Sequence, residues 1–315
     1  MEYSKLGQTD LEVSVVAFGC WAMGGRDWGE ADDEAAVAAA RHAFDLGINF
    51  FDTADIYGVG HSEELLCKAF GARDDVIITT KGGQWWDAPG GFRRTVDPSY
   101  LRRAVDHSLR RLGREVIDLY QIHWPPEDGT KIEDGVAALD DLRRQGKIRY
   151  LGVSNFSAAQ HETALSIAQI HTSQPPLNLF QQVSLTDPIP FCREHDIAVM
   201  VYSPMAMGLL TGKYREGHKF PRNDIRGNPY GAGLFGPELF GRHVRIVDRL
   251  KEVAGESGHT VGQLAVNWVL CQPGVTVALV GAKNPEQVDQ NVGAAGWRLS
   301  EADLKRIGEI VKMTE

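Results

Sequence analysis

Eight short apolar runs punctuate this chain and mostly alternate with helical patterns. They are Val15 to Phe18, Ile48 to Phe51, Val76 to Ile78, Ile117 to Ile122, Tyr150 to Val153, Ile170 to Gln174, Ala198 to Tyr202 and Val275 to Val280. Each is too short for a helix. Strands whose apolar residues do not alternate are buried on both faces, and helices between them imply a parallel sheet covered on its outer side. The helices carry their own boundary signals. Asp32 to Leu46 repeats Ala36, Ala39, Ala40, Ala43 and Phe44 at spacings of three and four, with acids in its first turn and Gly47 behind it. Asp97-Pro98 opens a helix through Leu112 whose apolar face is Leu101, Ala104, Val105, Leu109 and Leu112, while its arginine pairs read as a solvated face. Further helices are predicted over Ile132 to Gln145, after Ser157 and from Asn284-Pro285.

Two architectures alternate strands and helices in this way. A doubly wound dinucleotide-binding sheet should show G-x-G-x-x-G after its first strand. The turn here reads GCWAMGG from Gly19, which lacks that spacing. Eight units in 315 residues, somewhat above the roughly 250 typical of the class, fit a (β/α)8 barrel better. No composition shift or linker marks a boundary, so residues 1–315 read as one barrel domain with an N-terminal β-hairpin around Gly7 to Asp10. Gly82 to Thr95 and Gly212 to Leu239 exceed plain barrel loops, and loops following strands in a barrel sit on the active face.

A net charge of −9 argues against nucleic acid or an anionic membrane as the main partner, although a few local cations suffice for a phosphate ligand. The four cysteines form no C-x-x-C pair, which suits a reducing compartment without disulfides or a zinc site. With no signal-peptide core and no membrane-length apolar run, a cytoplasmic protein is expected. The ten histidines include no H-x-H or H-E-x-x-H, so no metal is expected and a metal-dependent hydrolase is poorly supported.

In a barrel, Asp52, Lys81 and His123 stand at the C-terminal ends of neighbouring strands, with Tyr57 in the loop just above. A carboxylate ending a hydrophobic strand is costly to bury unless a cation meets it, and Lys81 answers Asp52. Each residue alone has an ordinary structural explanation. Together they form a proton-delivery device. A tyrosine with reference pKa near 10 is a poor acid at neutral pH, and a neighbouring ammonium is expected to lower that pKa. A neutral His123 could donate to a carbonyl oxygen and orient it.

DTADIYG with SEELL, Lys81 after a strand, IHWP around His123 and GVSNF from Gly152 resemble the aldo-keto reductases, nearly end to end. That resemblance implies a (β/α)8 fold, a nicotinamide cofactor and reduction of aldehydes and ketones through Asp52, Tyr57, Lys81 and His123, with Tyr57 the general acid. It also implies that Tyr202 stacks on the nicotinamide, that Ser154, Asn155 and Gln174 bind its carboxamide, and that Cys20, Trp21 and Asp52 face it. Ser203, Pro204, Met205, Gly208 and Lys213 would line the pyrophosphate, with Arg222 helping from the long loop. Gly281, Lys283, Gln287 and Asn291 would hold the adenosine end, where Asn284 and Pro285 start a helix suited to phosphate. Lys283 and Arg222 offer cations for a 2′-phosphate, so NADP(H) is expected over NAD(H). Trp21, Trp85, Trp86 and Trp124 all follow strand ends, so an aromatic-walled pocket for planar carbonyl compounds or sugar faces is expected. A second reading is a redox-sensing binding module, because potassium-channel β subunits resemble the same family. A hairpin that begins almost at Met1 leaves little chain ahead of it for a partner, which ranks that reading second.

Overall fold

The structure is a computed structural model that describes the chain apart from residues 26, 30, 31, 89, 90, 222, 223 and 313–315. Eight strands close a barrel in chain order: β1 Val16–Gly19, β2 Phe50–Asp52, β3 Ile77–Gly82, β4 Ile117–Ile122, β5 Ile148–Ser154, β6 Thr172–Gln174, β7 Ala198–Val201 and β8 Val275–Gly281. Every pairing is parallel, and β8 returns to β1. With helices outside it, this is the (β/α)8 architecture that the spacing of apolar runs predicts.

Alternate side chains of each strand enter different cores. Phe50, Leu119, Met200, Val277 and Leu279 gather in one cluster, joined by Leu6, Leu11 and Val13 of the hairpin formed by Tyr3–Lys5 and Glu12–Ser14. The hairpin thus stoppers the N-terminal mouth of the barrel. Phe18, Phe51, Ile78, Tyr120, Leu151 and Val201 belong to the larger cluster under the helices. Two residues beyond the inward apolar layer the strands turn polar, and Asp52, Lys81, Gln121, Ser154 and Gln174 are all buried. A polar layer therefore sits on an apolar one at the C-terminal ends.

Strand limits shift where pairing overrides composition. β3 runs through Thr79, Thr80 and Lys81 because Leu119 to Ile122 of β4 supply the partners. The helix signals land closely. Asp32 caps Asp33–Asp45, Asp97 caps Pro98–Leu112, and Ser157 with Gln160 forms a capping box on Ala158–Leu165. One expectation needs correction. Arg111 is not merely a solvated arginine, because its Nε donates at 2.6 Å to Glu63, whose side chain is fully buried. A charge buried there needs its partner.

The loop after β3 folds into a small antiparallel hairpin, Gln84–Trp85 with Arg93–Arg94. The long loop after β7 crosses towards the loop after β1. Trp28 forms an antiparallel bridge with Asp224, and Ile225 N–H donates to Asp27 O at 2.8 Å. Among the described residues no helix is long and apolar enough to cross a membrane.

Candidate active site

The register fixes the site. Gly19 pairs with Asp52 and Asp52 with Thr79, while Lys81 pairs with Gln121. Lys81 Nζ, with no exposed side-chain surface, donates to Asp52 Oδ2 at 2.7 Å and to Thr53 O at 2.8 Å. Its third contact is Tyr57 Oη at 3.3 Å. Gln174 Nε2 donates to the other Asp52 oxygen at 2.8 Å and Gln121 Nε2 approaches it at 3.5 Å. Asp52 thus holds the ammonium by one oxygen and is itself held by the other. Burial pushes its carboxyl above the usual range, while Lys81 and the two amides pull it back.

Tyr57 stands in a turn pinned by two backbones in close approach. A Cβ on Gly58, where φ is +60°, would lie 2.3 Å from Gly24 O. Only glycine fits that contact without moving the turn. The phenol ring stacks on Trp21 (5.9 Å, 19°) and meets His123 edge-on (5.7 Å, 82°). Contrary to the sequence expectation, the net effect on the Tyr57 phenol is upward. Burial first, then the Asp52 carboxylate and the neighbouring Tyr230 and Tyr202, push it up. Tyr57 therefore stays protonated at neutral pH and holds its proton until negative charge appears beside it. His123 is held neutral by burial and by the Lys81 and Arg94 cations. Its Nδ1 is enclosed without a partner among the described residues, which leaves Nε2 for a ligand oxygen.

Asp52, Tyr57 and His123 line one cavity of about 790 Å3, while Lys81 does not reach its wall and acts from behind it, through Asp52 and Tyr57. At one end Lys213, Arg226 and Lys283 converge. Burial first, then the Arg226 cation, depresses both lysines, and Asp224 is the acid that opposes them. Lys283 Nζ donates to Trp28 O at 2.6 Å, and Arg226 pairs with Asp224. Tyr202 donates from its hydroxyl to Asn155 Oδ1 at 2.8 Å, and Asn155 in turn donates to His123 O and Ser154 Oγ, both at 3.0 Å. Asn284 accepts from Gln287 N–H, whose own side chain accepts from Lys283 N–H.

The cavity gathers most of the residues expected from sequence: Trp21, Trp124, Ser154, Asn155, Gln174, Tyr202, Ser203, Pro204, Met205, Gly208, Lys213, Gly281, Lys283, Gln287 and Asn291. Arg222 lies outside the described residues. Cys20, Trp85 and Trp86 do not line it. Cys20 is fully buried with Sγ towards Phe18 O, because the turn after β1 sends it into the core and Trp21 to the cavity. In the loop hairpin Gln84 opposes Arg94 and Trp85 opposes Arg93. Alternation then gives Gln84 and Arg94 the cavity face and turns Trp85 onto Tyr100 (5.0 Å, 20°). Trp86 is exposed. Asp27, Trp28, Gln84, Arg94 and Tyr230, which sequence reasoning passed over, line the cavity, as does Arg226, ahead of which it set Arg222. Two-residue periodicity across GGQWW and FRRT was the available signal for Gln84 and Arg94.

Behind the site lies a second buried acid. Asp55 N–H donates to Lys81 O at 3.1 Å, Tyr100 donates to Asp55 Oδ2 at 3.1 Å, and Oδ1 is enclosed without a partner among the described residues. Burial and the Glu63 carboxylate push its carboxyl up to about 7. Its folded value lies above its unfolded one, so the folded state keeps the proton longer. Stability falls as pH climbs from the unfolded value towards 7 and then levels, by up to about 4 kcal/mol from this group. Asp55→Asn should therefore flatten the decline in urea stability between pH 5 and pH 8. Equal slopes in variant and wild type would refute this.

Comparison with known proteins follows the same outline. The Aldo/keto reductase family model matches residues 15–312. The aldo-keto reductase YhdN of Bacillus subtilis is 37% identical over 318 residues, covering 100% of this chain and 95% of its own. The NADH-specific methylglyoxal reductase of Escherichia coli is 31% identical over 331 residues, covering 100% of both. Among solved structures, a glycerol dehydrogenase of Gluconobacter oxydans superimposes with a TM-score of 0.88 at 37% identity, covering 98% of this chain and 94% of that one.

Proposed function

The chain belongs to the aldo/keto reductase family, and on that premise we propose that it reduces small aldehydes and ketones with NADPH, Tyr57 delivering the proton. It is an oxidoreductase acting on carbonyl and alcohol groups with a nicotinamide cofactor. The observation that carries the reading is the chain of contacts from Asp52 through the buried Lys81 to the Tyr57 oxygen, at 2.7 and 3.3 Å, behind a cavity that Asp52, Tyr57 and His123 line.

The residues present suit such a cofactor. Lys213, Arg226 and Lys283 leave more positive charge than Asp224 offsets, as phosphate groups require. Tyr202 would stack on the nicotinamide, Ser154, Asn155 and Gln174 would bind its carboxamide, and the segment from Ser203 to Gly208 with Lys213 would meet the pyrophosphate. When bound, the cofactor supplies the hydride. The protein does the rest. His123 donates to the carbonyl oxygen and fixes its direction, a donor of a kind worth about 3–4 kcal/mol. As charge develops on that oxygen, Tyr57 gives up its proton and Lys81 stabilises the phenolate. Asp52 and Thr53 O keep the ammonium charged and aimed.

Family membership does not choose between the two nicotinamide cofactors, since the Escherichia coli relative is NADH-specific. The three cations support NADP(H) here. Lys283→Ala should lower the NADPH-to-NADH ratio of kcat/KM by about 10–100-fold, the worth of one charge-assisted contact. An unchanged ratio removes the assignment. The reading itself is tested by NADPH consumption against a panel of aldehydes, ketones and keto-sugars. Cofactor that binds but is oxidised by none of them would overturn it in favour of a cofactor-sensing module.

A further inference from the structure

Arg94 brings a cation to the substrate end of the cavity, beside His123 and Trp124. Two features hold it there. The hairpin register sets it opposite Gln84, and its guanidinium lies 4.1 Å over the Trp124 ring. Its countercharge, Glu127, is 63% exposed at the side chain and does not line the cavity. An ion pair whose acid stands in water is screened on that side, whereas the enclosed side is not. Burial holds His123 neutral and Tyr202 and Tyr230 protonated, and within that the Arg94 field reaches all three walls, adding to the effect on His123 and opposing it at the two tyrosines. Of the acids that line the cavity, Asp52 is held by Lys81 and Gln174, and Asp27 accepts from Trp21 Nε1 at 2.8 Å on the side of the Trp28–Asp224 bridge.

A flat guanidinium fixed on an indole presents its donor edge to one planar anion, a carboxylate, in preference to a hydroxyl. We propose that Arg94, stacked on Trp124, makes the substrate end a carboxylate site, so that the preferred substrates are short oxo acids with a carboxylate a few atoms from the carbonyl. This rests on the carbonyl-reductase reading. The reaction is unaltered: two electrons and a proton come from NADPH and one proton from Tyr57, turning the oxo acid into a hydroxy acid and leaving NADP+.

The test compares kcat/KM for succinic semialdehyde and butyraldehyde in the wild type, Arg94→Gln and Glu127→Gln. The wild type should favour the acid by about 10-fold or more, and Arg94→Gln should cut that preference by about 10–100-fold, mainly through KM. Glu127→Gln, which removes only the outer countercharge, should raise the preference a few-fold and keeps the test open if Arg94→Gln fails to fold. Turnover of butyraldehyde with no preference for the acid, or a preference that neither substitution moves, overturns the carboxylate site and leaves the reductase reading standing. No carbonyl-dependent NADPH consumption at all overturns the reductase reading instead.

Discussion

Tyr57→Phe should lower kcat by about a thousandfold, within the range of positioned proton transfer, while changing the affinity for NADPH less than about twofold. The substitution removes one oxygen and keeps the ring. The stacking on Trp21 and the edge contact with His123 therefore survive, and the turn held by Gly24 and Gly58 is untouched. Lys81 loses a contact at 3.3 Å but keeps the two shorter ones. What disappears is the proton that burial and Asp52 hold on the phenol. Single-turnover oxidation of bound NADPH measures the chemical step, and fluorescence titration measures binding. A variant that still turns over at a tenth of the wild-type rate would show that the proton comes from elsewhere.

Lys81→Met should fail in two separable ways. It removes an ammonium with no exposed surface and leaves Asp52 facing only amides. Breaking a buried pair from one side typically costs about 3–5 kcal/mol. The carboxyl left behind can relieve that cost by taking up a proton, so the loss of urea stability should be larger at pH 8 than at pH 5. Turnover should fall at least about a hundredfold because nothing then stabilises the phenolate. Asp52→Asn combined with Lys81→Met removes both charges. It should recover much of the stability and none of the activity, since an uncharged pair is often tolerated in a core. If the double variant recovered neither, the pair would matter to packing rather than to charge; if it recovered both, Lys81 would have no part in the chemistry.

The loops show where reading from sequence alone stops. Asp52, Lys81 and His123 were legible because a strand's end is marked by the change from apolar to polar residues, and the barrel makes those ends neighbours. Trp85 and Trp86 were legible only as aromatics after a strand. Whether an aromatic faces the cavity depends on hairpin register, and there the tertiary pairing of Trp85 with Arg93 turned the indole onto Tyr100 and Arg94 to the site. Cys20 was displaced by the same kind of event, one residue's rotation in the turn after β1. The direction of the Tyr57 shift was likewise beyond sequence. It is a sum over burial, which is the largest part, and the charges within reach, Asp52 first among them.

Local signals sufficed for the strands, the caps and the order of the four polar residues, because apolar runs, capping residues and turn glycines act over a few neighbouring positions. Tertiary structure decided which loop side chains share the cavity, which cations gather at its far end and how strongly each proton is held. Those properties depend on distances between residues far apart in the chain, which arise only when the barrel closes.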